Sequence, residues 1–328
     1  MPALKALFIG GNGIISSGVS RLAVDRGFDL TLLNRGTSTT RPAIEGARTV
    51  IGDASDPDSL RVAAGRGDWD VVVNFQSFLP SSLRSDIDLF QGRIGQYVYI
   101  SSASAYHKPV LSLPITESTP LHNPFWQYSR DKAASEDILN AAHRDSAFPG
   151  TVVRPSHTYD PTLIPFDGGW TIIDRMRRGR PTVVHGDGTS LWTLTHQRDF
   201  AVGFVGLLGN PRAVGDTYQI TSDEVLTWNE IARALAHAAG VEAELIHATS
   251  ERIAAVIPEW GPVLLGDKSH SVIFDNSKIK AAVPDFNATT PFWRGAREIV
   301  DWYDADSSRR TVDDEIDRRL DELAAVAR

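Results

Sequence analysis

In Trp126-Gln127-Tyr128-Ser129-Arg130-Asp131-Lys132 a phenol and an ammonium stand four residues apart. Residues so spaced share one face of a helix, one turn apart. A lysine that close favours the phenolate and draws the tyrosine pKa down from about 10, so Tyr128 is expected to exchange a proton with a substrate hydroxyl or carbonyl. A second pattern, Ile9-Gly10-Gly11-Asn12-Gly13-Ile14-Ile15-Ser16, reads as a glycine-rich turn from the first strand into the first helix. The amides and positive dipole end of such a helix suit a pyrophosphate. Gly10, Gly11, Asn12, Gly13, Ile14 and Ile15 are therefore candidate cofactor contacts. Ser16, where the spacing asks for a third glycine, is still small enough for close packing.

The second strand ends at Leu33-Asn34-Arg35-Gly36, with no carboxylate where a ribose acceptor is expected. Asn34 and Arg35 stand there instead, and an arginine offers a bidentate partner to a 2′-phosphate. The expectation is NADP or NAD, with NADP favoured. Asp53 and Ala54, after the third strand, either approach the adenine or cap their turn.

These residues need a frame that gathers strand ends. Short β-branched runs alternate with amphipathic segments at Leu4 to Ile9, Val19 to Arg26 and Leu30 to Leu33. Further strands are predicted at 49–51, 71–75, 97–100 and 151–153, with helices opening near Ser55-Asp56-Pro57-Asp58 and Ser81. The pattern predicts an α/β fold, a Rossmann-type doubly wound parallel sheet whose carboxyl-terminal edge forms the ligand crevice. Phe75, Gln76, Ser101, Pro155 and His157 stand at those strand ends and join the candidate cofactor residues.

After the fifth strand comes Tyr99-Ile100-Ser101-Ser102-Ala103-Ser104-Ala105-Tyr106. Strand, glycine turn, this serine stretch and Tyr-x-x-x-Lys, in that order, resemble the extended short-chain dehydrogenase/reductases, the NAD-dependent epimerase/dehydratase family. The resemblance implies that Ser102 hydrogen-bonds the reacting oxygen, Tyr128 is the acid/base, and Lys132 tunes it and holds the nicotinamide ribose. It continues through Val153-Arg154-Pro155 with Tyr159-Asp160, Gly186-Asp187-Gly188, His196-Gln197-Arg198-Asp199 and Phe274-Asp275-Asn276-Ser277-Lys278, over roughly residues 3 to 304. It implies an NAD(P)-binding domain over 1–155, to which 195–222 return. A smaller α/β substrate-binding part would take 156–194 and 223–304 on the carboxyl-terminal side. Residues 305–328 read as an amphipathic helix with Ile316, Leu320 and Leu323 on one stripe, packed on the body or on a second copy in a homodimer.

Departures from the family narrow the chemistry. Trp192 stands where UDP-sugar epimerases place an arginine on the diphosphate, and an indole cannot pair with that charge. Trp170 and Trp192 either stack on a sugar face or sit in the core. With Ser104, Tyr106, Trp126 and His157 they make the candidate substrate contacts. Ala103 and Ser104 replace the dehydratases' Asp-Glu pair, which disfavours elimination of water. The absence of cysteine removes thiol chemistry, including the catalytic cysteine that the 3,5-epimerases need. Histidines and carboxylates lack metal-ligand spacing, so no metal is expected.

The 328 residues are 42% hydrophobic and 23% charged, enough for a large buried core. A net charge of -8 argues against nucleic acid as the main partner. No apolar run approaches the roughly 18 residues of a membrane span and no signal segment opens the sequence, so a cytoplasmic protein is expected. Hydride transfer to or from a sugar-like or polyhydroxylated small molecule, not linked to a nucleotide diphosphate, is the leading expectation. A nucleotide-sugar epimerase with tightly held NAD, and a non-catalytic RNA-binding or redox-sensing relative, are the alternatives.

Overall fold

The computed structural model describes residues 3–37, 40–65 and 68–327. Seven parallel strands form the central sheet: β1 (Lys5–Ile9), β2 (Asp29–Asn34), β3 (Arg48–Ile51), β4 (Trp69–Asn74), β5 (Ile94–Ile100), β6 (Gly150–Pro155) and, after four strands that lie outside it, β11 (Thr217–Ile220). Their spatial order is β3-β2-β1-β4-β5-β6-β11, so the chain changes direction of winding between β1 and β4. Ligands of doubly wound sheets bind at such a switch point. The glycine turn leaves β1 there, and Phe75 and Gln76 leave β4.

Alternation along the strands builds two apolar layers. Ala6, Phe8, Leu30, Leu32, Val71, Val73 and Val98 face one way, and Leu7, Ile9, Leu33, Val72, Tyr97 and Tyr99 the other. Both faces are covered, so the strands read as near-continuous apolar runs. Helices α1 (Ile14–Asp25) and, further on, α6 (Gln197–Leu207) pack side by side over the first face. The second face carries α2 (Pro57–Ala64), α3 (Pro80–Phe90) and α4 (Gln127–Ser146). Asp56 caps α2 by accepting the Asp58 amide at 3.1 Å, with Pro57 in the first turn.

The segment after β6 forms three two-stranded pairs: β7 (His157–Tyr159) with β10 (Leu194–His196), β8 (Thr182–His185) with β13 (Leu245–Ala248), and β9 (Leu191–Trp192) with β12 (Leu226–Thr227). Around them lie α5 (Trp170–Arg177), α7 (Trp228–Ala238), α8 (Ser250–Val256), α9 (Gly261–Val263) and a π-helical turn over Leu264–Lys268. A separate apolar core holds this part together, including Ile172, Ile173, Trp228, Ile231 and Leu235. One stretch inside 223–304 does not belong to it. Helix α10 (Ser277–Ala282) returns to the sheet layer, because Ile279, Val283 and Phe286 complete the apolar layer under α6 and β11. Helix α11 (Phe292–Asp304) packs on α7.

The terminal helix α12 (Asp314–Ala327) packs on the same chain. Ile316, Leu320 and Leu323 are buried in the second core, and Arg175, fully buried, pairs with Asp317 and Asp321. Among the described residues no helix is long and apolar enough to cross a membrane.

One buried carboxyl fixes the β4 exit. Asp86 on α3 is 1% exposed and accepts from Tyr97 Oη at 2.6 Å and Asn74 Nδ2 at 2.8 Å, while Asn74 Oδ1 accepts the Gln76 amide. Burial pushes its pKa up from 3.8 to about 6. Between those values the folded chain holds a proton that the unfolded chain has lost, so this contribution is complete below about pH 4 and is lost as pH rises through 6. Urea unfolding at pH 4 and pH 7 should show wild type losing about 2 to 3 kcal/mol relative to Asp86→Asn. A difference that does not change with pH would show that Asp86 titrates as an ordinary carboxylate.

Candidate active site

At the first strand end, Gly10 has φ +83°, and a Cβ there would fall 2.7 Å from Gln76 Cγ. A Cβ on Gly11 would meet Leu32 Cδ2 at 2.5 Å. Neither position has room for a side chain. Ser16 replaces the third glycine with a purpose: its Oγ accepts the Gly13 amide at 2.6 Å and donates to Gly10 O at 2.7 Å, fastening the turn to the helix it opens. Helix α1 has no side-chain cap and no acidic residue in its first turn, which leaves the Ile14 and Ile15 amides available to an anion. Asn12 Oδ1 is buried without a partner among the described residues. A group that brings both phosphates and hydroxyl donors satisfies this set, and a dinucleotide is such a group.

Asp53 caps its own turn, accepting from Ser55 N at 2.9 Å and Ser55 Oγ at 2.7 Å, and these bonds hold its carboxyl below the usual range. The Arg35 charge acts in the same direction, so Arg35 lies near Asp53. Phe75 packs edge-on to Phe8 at 5.6 Å, and its carbonyl-side neighbour Gln76 closes over Gly10.

Tyr128 and Lys132 come from the start of α4. The buried stripe of this helix is Ser129, Lys132, Ser135, Glu136 and Leu139, spaced at three and four residues and mostly polar. Lys132 is 2% exposed, and its Nζ donates to Ile100 O at 2.7 Å and Ser77 O at 3.1 Å. The rings of Phe78 and Tyr99 lie 5.0 Å from it and that of Tyr128 5.7 Å. One turn on, Glu136 is bidentate to Arg154, at 2.9 and 2.6 Å, and accepts from Ser101 Oγ. Ser101, expected at the cofactor, is therefore engaged behind the site.

Ser102 opens a 3-10 turn over Ala103–Ala105. Its Oγ lies 2.9 Å from Ser104 Oγ, which in turn accepts from Ser129 Oγ at 2.8 Å. This order of donation leaves Ser104 free to donate to Ser102, and Ser102 free to donate forward. Ser102, Ser104, Trp126, Tyr128, Pro155, His157 and Trp192 line one cavity of about 320 Å³, and Ile15 of the glycine turn borders it. A more open depression of about 1060 Å³ along β3 contains none of Ser102, Tyr128 or Lys132.

Three expectations are corrected here. Burial raises the Tyr128 phenol above its ordinary value, with Ser102 offsetting it in part, so the phenol is not drawn towards neutral in the protein alone. The reason is that Lys132 turns its ammonium to two carbonyls, and burial lowers its own pKa to about 7. Trp170 is absent from the cavity: it stacks on Tyr303 at 5.0 Å in the second core. Tyr106 is also fully buried, donating to Gln219 Oε1 at 2.9 Å beneath the Arg154 guanidinium.

Trp192 is 4% exposed and donates its indole N–H to His157 Nδ1 at 3.2 Å. Because indole is donor only, His157 carries its proton on Nε2. Burial pushes the His157 pKa down to about 3, so the ring is a neutral donor, not a base at pH 7. Sequence reasoning missed Asp267, Lys268 and Val263, which reach the cavity from about 135 residues beyond Tyr128. No local motif marks them. Among the described residues no group of three or more His, Asp or Glu is arranged for a metal ion.

The sheet and this site have the architecture of the Rossmann-type α/β proteins, with Ser102 and Tyr128 in one cavity and Lys132 buried behind them. Residues 6–221 match the model of the NAD dependent epimerase/dehydratase family, and the chain belongs to that family. It is 27% identical over 256 residues to the chloroplast stem-loop binding protein of 41 kDa b of Arabidopsis thaliana, covering 74% of this chain and 65% of that protein. It is 29% identical over 245 residues to the 2'-dehydrokanamycin reductase of Streptomyces kanamyceticus, covering 72% and 67%. The match thus spans about two thirds of the length of these relatives. Among solved structures, a UDP-glucose 4-epimerase from Bifidobacterium longum in complex with NAD+ and UDP superposes with a TM-score of 0.74 at 18% identity, covering 93% of this chain and 99% of that one.

A lysine whose pKa falls to about 7 on folding binds fewer protons than the unfolded chain between pH 7 and its ordinary 10.5. Stability therefore rises with pH across that window, by up to ~1.4 kcal/mol per unit, and levels off below it. Lys132→Met removes this dependence. The stability difference between wild type and variant, read by urea unfolding at pH 7.0 and 9.5, should shift in favour of wild type at the higher pH. A constant difference means that the ammonium keeps its ordinary pKa.

Proposed function

We propose that the protein is an NAD(P)-dependent oxidoreductase or epimerase acting by tyrosine-assisted hydride transfer on a sugar-like or polyhydroxylated small molecule that carries no nucleotide diphosphate. The observation that carries this reading is that Ser102 and Tyr128 line one cavity bordered by the glycine turn, with the Lys132 ammonium buried behind them, 5.7 Å from the Tyr128 ring. A bound nicotinamide dinucleotide would supply the carbon that accepts or gives the hydride. Gly11, Asn12, Ile14 and Ile15 would hold its phosphates, and Lys132 would stand behind its ribose, exchanging a backbone carbonyl for it on binding. Tyr128 exchanges a proton with the substrate oxygen. Ser102, backed by Ser104 and Ser129, orients that oxygen by donating to it.

Among the described residues no arginine lines the cavity, which supports an unlinked substrate. Trp192 is occupied with His157, and the arginines of α5 and its C-terminal end are occupied elsewhere. Arg175 is fully buried against α12, Arg177 pairs with Asp304, and Arg178 pairs with Asp174 and Asp317. Arg35 supports NADP over NAD, and the same geometry serves a net reduction or an epimerisation. A second reading, RNA binding without chemistry, is favoured by the likeness to the chloroplast stem-loop binding protein. The net charge of -8 weighs against it. We further propose a cytoplasmic protein whose partner is a small molecule, and a homodimer as its assembly.

Tyr128→Phe should leave dinucleotide affinity nearly intact and cut turnover by roughly 10² to 10⁴. If RNA binds with a steep salt dependence and Tyr128→Phe changes nothing measurable, the enzyme reading is wrong. Arg35→Ala should weaken NADP more than NAD by ~1.5 to 3 kcal/mol in a fluorescence titration. Equal losses would assign Arg35 to the adenine side alone. UDP-glucose and UDP should raise the melting temperature of the cofactor-loaded protein no more than glucose does. Tight UDP binding would restore the nucleotide-sugar reading.

A further inference from the structure

The cavity beside Tyr128 contains two charged side chains that the chemistry above does not use, Asp267 and Lys268. They are neighbours in the π-helical turn over Leu264–Lys268, a rare geometry that concentrates at functional sites. Their counter-ions hold them differently. Lys268 Nζ lies 2.6 Å from Asp167 Oδ1 and 5.4 Å from the Trp228 ring, so its charge is satisfied within the wall. Asp267 Oδ1 lies 3.1 Å from Lys108 Nζ, on a lysine whose side chain is fully buried. That contact lacks hydrogen-bond geometry, and the Lys108 ammonium makes no hydrogen bond among the described residues. The pair is held by charge alone, from behind the cavity.

The Asp267 side chain is 17% exposed, and its charge is close enough to help raise the Tyr128 phenol. Much of the surrounding wall is apolar: Trp126, Val263, Val272 and Phe274. A carboxylate with open lone pairs in such a wall is costly until a donor reaches it. An ammonium satisfies it better than a hydroxyl, because both partners are then ionised. A second anion meets like charge with little solvent to screen it.

We propose that Asp267 determines specificity: its carboxylate receives an ammonium or hydroxyl donor that the substrate carries near the reacting carbon, and it rejects a carboxylate or phosphate there. This rests on the reading that Ser102 and Tyr128 hold the reacting oxygen. The substrate class it selects is a neutral or amine-bearing polyol, with the amine preferred.

The test uses NADP-loaded full-length protein and three probes, D-glucosamine, D-glucose and D-glucuronate, with dissociation constants from saturation-transfer NMR. Wild type should bind glucosamine tightest and glucuronate at least roughly tenfold more weakly. Asp267→Asn alone strands the buried Lys108 charge and risks misfolding. The double variant Lys108→Met/Asp267→Asn removes both charges together and should bring the three probes within about twofold of one another. Wild type that binds none of the probes, or glucuronate as well as glucosamine, or a double variant that keeps the order, overturns the proposal. A second readout does not depend on any sugar. In protein labelled with 13Cζ-tyrosine, the double variant should titrate the Tyr128 phenol at lower pH than wild type, and an unchanged titration counts against Asp267. NADP titration of the same samples separates the two readings. Failure to bind dinucleotide overturns the oxidoreductase reading itself, whereas lost discrimination with dinucleotide binding intact overturns the Asp267 assignment only.

Discussion

Burying the Lys132 ammonium is the constraint on which the site depends. A cation 2% exposed must have its donors met, and two carbonyls at different strand exits do so: Ile100 at the end of β5 and Ser77 beyond β4. The lysine therefore ties two strand ends together as well as standing beside Tyr128. Glu136, one turn along α4, offsets part of the burial of that cation, and is itself buried. Arg154 answers Glu136 with two hydrogen bonds and anchors to Glu117 O at 3.0 Å. Removing either Glu136 or Arg154 leaves the other buried without its ion-pair partner, which costs several kcal/mol. A helix whose inward stripe is Ser, Lys, Ser and Glu can only be docked where each of those groups is met.

The sheet was legible in the sequence because its signals are local. Strands β1, β2, β4 and β5 announce themselves as short apolar runs, and the glycines of the first turn occupy positions where a Cβ would strike Gln76 or Leu32. Tyr128 and Lys132 are four residues apart in one helix, so their shared face follows from spacing alone. The substrate side is assembled differently. Asp267 and Lys268 come to Tyr128 from a π-helical turn far along the chain, and nothing in their neighbourhood of sequence shows which residues they will face. Trp170 and Tyr106 have residue types suited to a sugar, but burial among Tyr303, Arg154 and Gln219 places them in the scaffold. Residue type marked these positions, and only packing could assign them.

Arginines show the same distinction. Arg175, Arg177, Arg178 and Arg180 crowd the end of α5 and the residues just beyond it. In the fold they face Asp174, Asp304, Asp317 and Asp321, so this basic cluster fastens α11 and α12 to the second core. Most of these pairs are partly exposed and individually weak. Arg175 differs because its side chain is fully buried, which makes the aspartates of α12 obligatory partners. A charged terminal helix thus completes the core through Ile316, Leu320 and Leu323, and neutralises a charge that the core could not otherwise contain.

The protonation state that burial imposes on the site has a direction. Burial raises the Tyr128 phenol and lowers Lys132 to about 7, so each group is driven towards its neutral form. A neutral phenol is a proton donor, the form required when a carbonyl oxygen gains charge during reduction. Running the reaction the other way requires the phenolate. Two features of the chain favour it: the Ser102 hydroxyl, and the place of Tyr128 in the first turn of α4, where the helix dipole stabilises negative charge. Asp267 opposes it from across the cavity. A donor group that approaches Asp267 weakens that opposition, so the group that satisfies the carboxylate also eases the loss of the phenol proton. In the proposed reaction, substrate recognition and the acidity of Tyr128 are coupled through one side chain.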